Sequence, residues 1–336
     1  MALIPGYEEA RTLRALITGI AGFAGSHLAD YLLGRGDVQV AGISLPADGT
    51  RNVQHILARI TLCPADLSDS PRVCALCERL QPDLIFHLAA QASVERSWQN
   101  PAETLVNNVT AQLNLLQAMV DLQLRCRMLV VGSADEYGLV RAEDLPIDED
   151  TALRPVNPYA VSKIAQDYLG YQYHLSHGLP VVRVRPFGHI GPRQGPGFAV
   201  ADFARQIARI EASLQEPLLR VGNLSAQRDL TDVRDMVRGY YLALTKGKAG
   251  EVYNLGSSRA YVISDVLSRL LEMSQVPVRV EMDTSRLRPS DVPVLISDSR
   301  RIKADTGWEP QYDTDVTLRE VLDYWRQRVH AEGADA

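Results

Sequence analysis

Cysteine is scarce in this chain, with only Cys63, Cys74, Cys77 and Cys126 among 336 residues. So few cannot staple a fold of this length, and nothing in their spacing suggests a secreted disulfide framework. Cys74 and Cys77 have the separation of a metal or redox pair. No second pair accompanies them, and they fall in a predicted amphipathic helix, which reads as structural cysteine. A basic excess is missing as well: 35 Lys and Arg stand against 41 Asp and Glu, a net charge of −6. That removes the broad positive field with which proteins hold nucleic acid or anionic membranes, so neither is expected as a partner. An anionic ligand would have to be held by a few well-placed arginines. Long apolar runs are absent too, so no membrane-spanning helix is expected. Met1–Glu9 has neither the basic region nor the apolar core of a signal peptide. These absences lead to the expectation of a soluble, cytoplasmic protein.

What is present is ordinary globular composition, 46% hydrophobic and 23% charged. The length suits one large domain or two linked ones. In the first half, short apolar runs alternate with amphipathic stretches, the pattern of βαβ units around a parallel sheet. Strands are predicted at 13–18, 38–43, 60–63, 84–88, 128–131 and 181–184, with helices at 23–33, 71–80, 101–122 and 158–176. Pro186–Gly197 is so rich in glycine and proline that it reads as a loop between regions. The fold class is therefore α/β, a Rossmann-type doubly wound parallel sheet with a smaller C-terminal substrate domain. The first domain is assigned 12–185, with 229–256 returning to it, and the second 186–228 and 257–330.

Gly19-Ile20-Ala21-Gly22-Phe23-Ala24-Gly25 follows the first strand and opens the first helix. Residues without Cβ let backbone amides approach a pyrophosphate at the positive end of a helix, so this turn points to a dinucleotide. The second strand ends at Ser44 without the carboxylate that usually holds an adenosine ribose, and Arg51 is the nearest cation. NADP(H) or NAD(H) both remain open, with a lean to NADP(H). Farther on, Asn157 can cap a helix that starts at Pro158, which puts Tyr159 and Lys163 one turn apart on one face. There the ammonium could lower the phenol pKa, readying Tyr159 to exchange a proton with a carbinol. Asp66, Leu88-Ala89-Ala90 and Ser133 follow successive predicted strands. In an open parallel sheet those strand ends share the rim where ligands bind.

With these residues placed, the chain resembles the extended short-chain dehydrogenase/reductases that act on nucleotide sugars. The resemblance runs from Leu13 to about Tyr324. It is carried by Gly19–Gly25, Asp66-Leu67, His87–Ala90, Asn108, Ser133, Tyr159 with Lys163, Arg228–Asp235, Tyr253–Gly256 and Gly307-Trp308. Gly188–Phe198, Asp202–Glu211, Val221–Leu224 and Arg286–Val292 are similar to the GDP-mannose branch of reductases and 4,6-dehydratases. The resemblance implies that Ser133, Tyr159 and Lys163 are catalytic, with Asp135 where dehydratases carry a glutamate. It implies a cofactor cleft lined by Gly19, Gly22, Phe23, Ala24, Gly25, Ser44, Asp66, Leu67, Leu88, Ala89, Ala90, Asn108 and Pro186, with Tyr159 and Lys163 at the nicotinamide end. Ser133, His189, Arg193, Arg228 and Arg288 would bind a GDP-linked sugar, and no metal is implied.

Phe23-Ala24 stands where dehydratases of this kind carry Gln-Asp, which favours reduction of the C4 keto group of GDP-4-keto-6-deoxy-D-mannose. The alternatives are a GDP-mannose 4,6-dehydratase and a catalytically silent nucleotide-binding regulator of the same fold. One departure stands out: Gly188 replaces an asparagine common in the family, so that amide is absent or is replaced by His189. The family also implies a homodimer built on the helices near 101–122 and 158–176.

Overall fold

A computed structural model describes residues 12–287 and 292–334. Arg288 and the Met1–Glu9 segment lie outside the described residues. The chain opens with β1 (Leu13–Thr18), α1 (Phe23–Arg35), β2 (Val38–Ser44), β3 (Thr61–Pro64), α2 (Ser70–Leu80) and β4 (Leu84–His87). There follow α3 (Val94–Gln99), α4 (Pro101–Asp121), β5 (Arg127–Val131), α5 (Pro158–His177) and β6 (Val181–Pro186). The second half holds β7 (Gly188–Ile190), α6 (Ala199–Glu211), β8 (Leu218–Val221), β9 (Gln227–Asp232), α7 (Val233–Lys246) and β10 (Val252–Leu255). It closes with β11 (Ala260–Val262), α8 (Ile263–Glu272), β12 (Arg279–Met282), β13 (Val294–Leu295), α9 (Arg300–Thr306) and α10 (Thr314–Ala334).

Seven strands form one parallel sheet in the order β3-β2-β1-β4-β5-β6-β10. The strands are apolar because both faces are covered: all four residues of β4 and all six of β6 are buried. Against one face lie α1 and α7, whose Leu28, Leu32, Met236 and Tyr240 join Ile17 and Phe86 in a common core. The other face is covered by α2, α4 and α5. This is the doubly wound arrangement, and its strand order reverses between β1 and β4, where such sheets open a ligand crevice.

The smaller region has a sheet of β11, β9, β13 and β7 and a pair β8–β12, with α6, α8 and α10 closing a core of their own. Two pieces cross between the regions. β9 belongs to the small sheet, so the chain re-enters the first core with α7 rather than at residue 229. From the C-terminal part, Ile302 and Trp308 pack into the first core, where the Trp308 indole donates to the Asp235 carbonyl at 2.9 Å. The 186–197 stretch contains strand β7 rather than loop throughout. Its pairing with β9 is possible because Gly188 has no Cβ, which would lie 2.6 Å from the Asp229 carbonyl oxygen.

Candidate active site

The glycine turn is built for close approach. Gly19 has φ +69°, and a Cβ there would meet the Ala89 backbone at 3.0 Å. At Gly25 a Cβ would sit 2.2 Å from the Gly19 carbonyl oxygen, so the turn and the first helical residues are packed backbone on backbone. Gly22 is the N-cap of α1 and offers no side-chain acceptor. The amides of Phe23, Ala24 and Gly25 thus have no intrahelical partner and point out of a helix N-terminus. That uncapped cradle fits the pyrophosphate of a dinucleotide.

Around it stand the other rim residues. Ser44 is buried at the end of β2. Asp66 is exposed beyond β3, its carboxylate accepting from the Ser68 amide at 2.8 Å, and Leu67 is buried beside it. Leu88, Ala89 and Ala90 follow β4, with the Ala89 amide donating to the Thr18 hydroxyl at 3.2 Å. Asn108 is fully engaged within the protein. Its Oδ1 accepts from the Gln91 amide at 2.7 Å and its Nδ2 donates to the Ser162 hydroxyl at 2.9 Å. It therefore shapes the cleft by fixing the 88–91 segment to α5. Pro186 ends β6 at the same rim.

A cavity of about 520 Å³ adjoins the glycine turn at Ala21, bordered by Asp48, Arg51, Asn52, Arg193 and, from α10, Tyr324 and Arg328. Asn52 is tied to the turn, donating to the Ala21 carbonyl at 3.0 Å. Three arginines in one cavity beside a dinucleotide turn suit an additional phosphate.

Tyr159 and Lys163 lie on α5 as expected, because Asn157 Oδ1 accepts from the Ala160 amide at 2.7 Å and Pro158 starts the helix. Lys163 is buried, and its ammonium donates to the Val131 carbonyl at 2.9 Å and stands 5.9 Å from the Tyr159 ring centroid. The Ser133 hydroxyl accepts from the Asp135 amide at 3.1 Å and acts on the Tyr159 phenol from the turn after β5. The electrostatics run opposite to the sequence expectation. Burial, then the Asp135 carboxylate, hold the phenol well above the usual tyrosine range, with Ser133 opposing. The ammonium itself is lowered by burial to about 8, with Glu136 opposing. Desolvation is the leading cause at both groups, so the ammonium does not lower the phenol as the spacing suggested.

On the sugar side the arrangement is mixed. His189 stacks on Phe23 of the glycine turn, ring centroids 5.6 Å apart, and its Nδ1 lies 3.1 Å from the Phe187 carbonyl. Arg193 departs from its expected place: it pairs with Asp30 of α1 at 2.8 Å and borders the cavity beside Ala21. The attraction of a partly buried carboxylate draws it there. Arg228, on β9, donates to the Val292 carbonyl at 2.7 Å. The sequence analysis assigns no role to Glu136, Asp167 or Arg185, which form a buried charge cluster behind Ser133. The spacing 159/163/167 on one helix face is the signal that could have found Asp167. Among the described residues no group of side chains could hold a metal ion, and no helix is long and apolar enough to cross a membrane.

Compared with known proteins, residues 16–321 match the family model described as GDP-mannose 4,6 dehydratase. The chain is 36% identical to GDP-6-deoxy-D-mannose reductase of Pseudomonas aeruginosa, over 96% of this chain and 100% of that protein. It is 30% identical to GDP-mannose 4,6 dehydratase 2 of Arabidopsis thaliana, over 92% of this chain and 86% of the relative. Among solved structures, that of RMD from Pseudomonas aeruginosa complexed with NADPH superposes with a TM-score of 0.81 at 34% identity. The overlap covers 94% of this chain and all of that one.

Proposed function

The chain belongs to the GDP-mannose 4,6-dehydratase family, and from that premise we propose that it reduces the C4 keto group of GDP-4-keto-6-deoxy-D-mannose, giving GDP-6-deoxy-D-mannose (GDP-D-rhamnose). NADPH is the hydride source in this reading. The observation that carries it is the half-buried Tyr159 phenol, held in its proton-bearing form at the rim beside the glycine cradle, with Ser133 acting on it and the buried Lys163 ammonium 5.9 Å from its ring.

When bound in the cradle, a reduced nicotinamide would supply the hydride for C4. Everything else falls to the chain's own side chains. Tyr159 gives its proton to the oxygen at C4, and a phenol kept protonated by burial is in the state that this step needs. Ser133 hydrogen-bonds both that oxygen and the phenol, aligning the transfer. The Lys163 ammonium, charged below about pH 8, steadies the phenolate left behind. Phe23, Ala24 and Gly25 amides hold the pyrophosphate, and Arg51 with Arg328 takes the 2′-phosphate. His189 and Arg228 hold the sugar nucleotide, and its remote diphosphate binding orients C4. We assign the seven-stranded core to the cofactor and the smaller region to the sugar nucleotide.

Asp135 favours a second reading. Its charge acts on Tyr159, and a carboxylate there could remove the elements of water from GDP-mannose. One experiment separates the two. Incubation with the keto sugar nucleotide and NADPH, followed by nicotinamide absorbance, is expected to consume one NADPH per product. Conversion of GDP-mannose without net consumption of cofactor would establish the dehydratase instead.

The finer expectations on assembly and compartment are part of the same proposal. Val106 and Leu113 on α4, and Val161, Tyr168 and Leu175 on α5, are exposed apolar side chains at seven-residue spacing. They support a homodimer formed by these two helices. Four free cysteines and water-soluble nucleotide substrates suit the cytoplasm.

A further inference from the structure

Glu136 is fully buried directly behind the candidate catalytic serine. Its Oε1 accepts from the Ser133 amide at 2.7 Å. The carboxyl lies flush on the Gly132 backbone, where any Cβ would come within 2.2 Å of that oxygen. The other oxygen faces Arg185 Nε at 3.2 Å, and that guanidinium also grips Asp167 at 2.7 Å. Asp167 lies on α5, four residues past Lys163 and eight past Tyr159, on the same face of the helix. Arg183 completes the cluster by donating to Asp167 Oδ1 at 2.6 Å.

These contacts join two separate pieces of the site. Ser133 belongs to the turn after β5, while Tyr159 and Lys163 belong to α5. Lys163 reaches across to the Val131 carbonyl, and Glu136 reaches back through Arg185 to Asp167. The Val131–Ser133 segment is thereby held at both ends against the helix that carries the proton donor. A buried ionic cluster adds little net stability over apolar packing, so stability alone does not account for its presence here.

Resting on the reading of Ser133, Tyr159 and Lys163 above, we propose that Glu136 is a positioning residue for the keto reduction: by accepting the Ser133 amide and bridging through Arg185 to Asp167, it sets the Ser133 hydroxyl against the Tyr159 phenol. Burial, then the charge of Asp167, hold its carboxyl well above the usual glutamate range, with Arg185 opposing.

The test compares Glu136→Ala, which removes the acceptor, with Glu136→Gln, which keeps an oxygen at the same place. For the alanine variant we expect kcat to fall about tenfold or more, while KM for the keto sugar nucleotide and NADPH affinity by nicotinamide fluorescence stay within about twofold. The glutamine variant is expected to recover to within about threefold of the parent kcat. If Glu136→Ala does not fold, Glu136→Met, similar in volume and without an acceptor, takes its place. Amide hydrogen exchange over 127–138 is read alongside: Ser133 is expected to be protected in the parent and Glu136→Gln, and to exchange faster without the acceptor. The role is overturned by an unchanged kcat in the acceptor-less variant, by equal losses in kcat, KM and cofactor affinity, or by a glutamine variant as poor as alanine. A parent protein that turns over neither keto sugar nor GDP-mannose overturns the functional reading alone, and exchange at Ser133 then decides the positioning role.

Discussion

The imidazole of His189 lies parallel to the phenyl ring of Phe23, at 6° with centroids 5.6 Å apart. Phe23 is the first residue of the helix that cradles the pyrophosphate, and His189 sits on the strand leading into the smaller region. The stack thus couples the two halves of the cleft. A stacked aromatic pair contributes about 0.5–1.5 kcal/mol, or roughly two- to tenfold in affinity. His189→Ala is therefore expected to raise Kd for NADPH and KM for the sugar nucleotide together, by factors in that range. Fluorescence titration of the cofactor beside steady-state kinetics checks this, and a change confined to one ligand would count against the coupling.

Lys163 sets the alkaline side of the reaction. Burial lowers its ammonium to about 8, so the charge that steadies a Tyr159 phenolate is lost as pH rises through that value. kcat for keto reduction should fall by one decade per pH unit above about 8 and level off below it. Lys163→Met should abolish this limb and lower kcat, and Tyr159→Phe should lower it by about 10²–10⁴. A profile flat to pH 9.5 in the parent enzyme would contradict the assignment.

The cavity beside Ala21 makes a prediction about the cofactor. Arg51 and Arg328 border it, and neither has a counterpart task in binding an unphosphorylated ribose. Removing one charge-assisted hydrogen bond to phosphate costs about 1.5–3 kcal/mol, roughly ten- to a hundredfold. Arg51→Ala should weaken NADPH by that factor and leave NADH within about twofold, so the ratio of kcat/KM values is the measurement. Equal losses on both cofactors would place Arg51 outside the phosphate subsite.

Much of this was legible in the sequence, and the parts that were not share a physical cause. β1 and α5 could be read because their signals are local: an apolar run, an Asn157 cap, Pro158 and a terminal Gly178. β9, written Gln-Arg-Asp-Leu-Thr-Asp, looks polar, yet Asp229 is buried because Ser257, Ser258 and Ser297 bring their donors to it. No window on the sequence contains those partners. The same holds at the site. Ser133, Tyr159 and Lys163 announce themselves as a pattern, whereas nothing in the sequence marks Glu136 and Arg185 as partners until the fold buries them together.

His87 links the site to acid stability. It is buried between Thr18 and Gln166, and burial, then the Lys163 charge, pull it from the usual 6.5 to about 3. Unfolding frees the ring to bind a proton anywhere between those values. The unfolded state therefore holds more protons in that window, and stability falls as pH drops through it, by up to about 1.4 kcal/mol per unit. Above pH 6.5 both states are neutral at this ring and the effect vanishes. Denaturation midpoints from pH 7 to 4.5 should slope less steeply in His87→Gln than in the parent, by one proton.

The proposed homodimer rests on the surface of α4 and α5. On α5 the exposed apolar residues are Val161, Tyr168 and Leu175, and on α4 they are Val106 and Leu113. Steps of seven residues keep each set on one side of its helix, and the two helices pack on one another. Two parallel apolar stripes with polar flanks have no covering partner within the described chain. A two-fold copy meets the same pair of stripes, so the surface is complementary to itself and closes after two subunits. A charge placed in the middle of such a contact is desolvated without a partner and disrupts it at both symmetric positions. Tyr168→Asp combined with Leu175→Arg should therefore shift the mass by light scattering from two chains to one. Because neither residue is assigned to the cofactor cleft, NADPH affinity should stay within about twofold. A parent protein that runs as a single chain at micromolar concentration would show that these stripes serve some other contact.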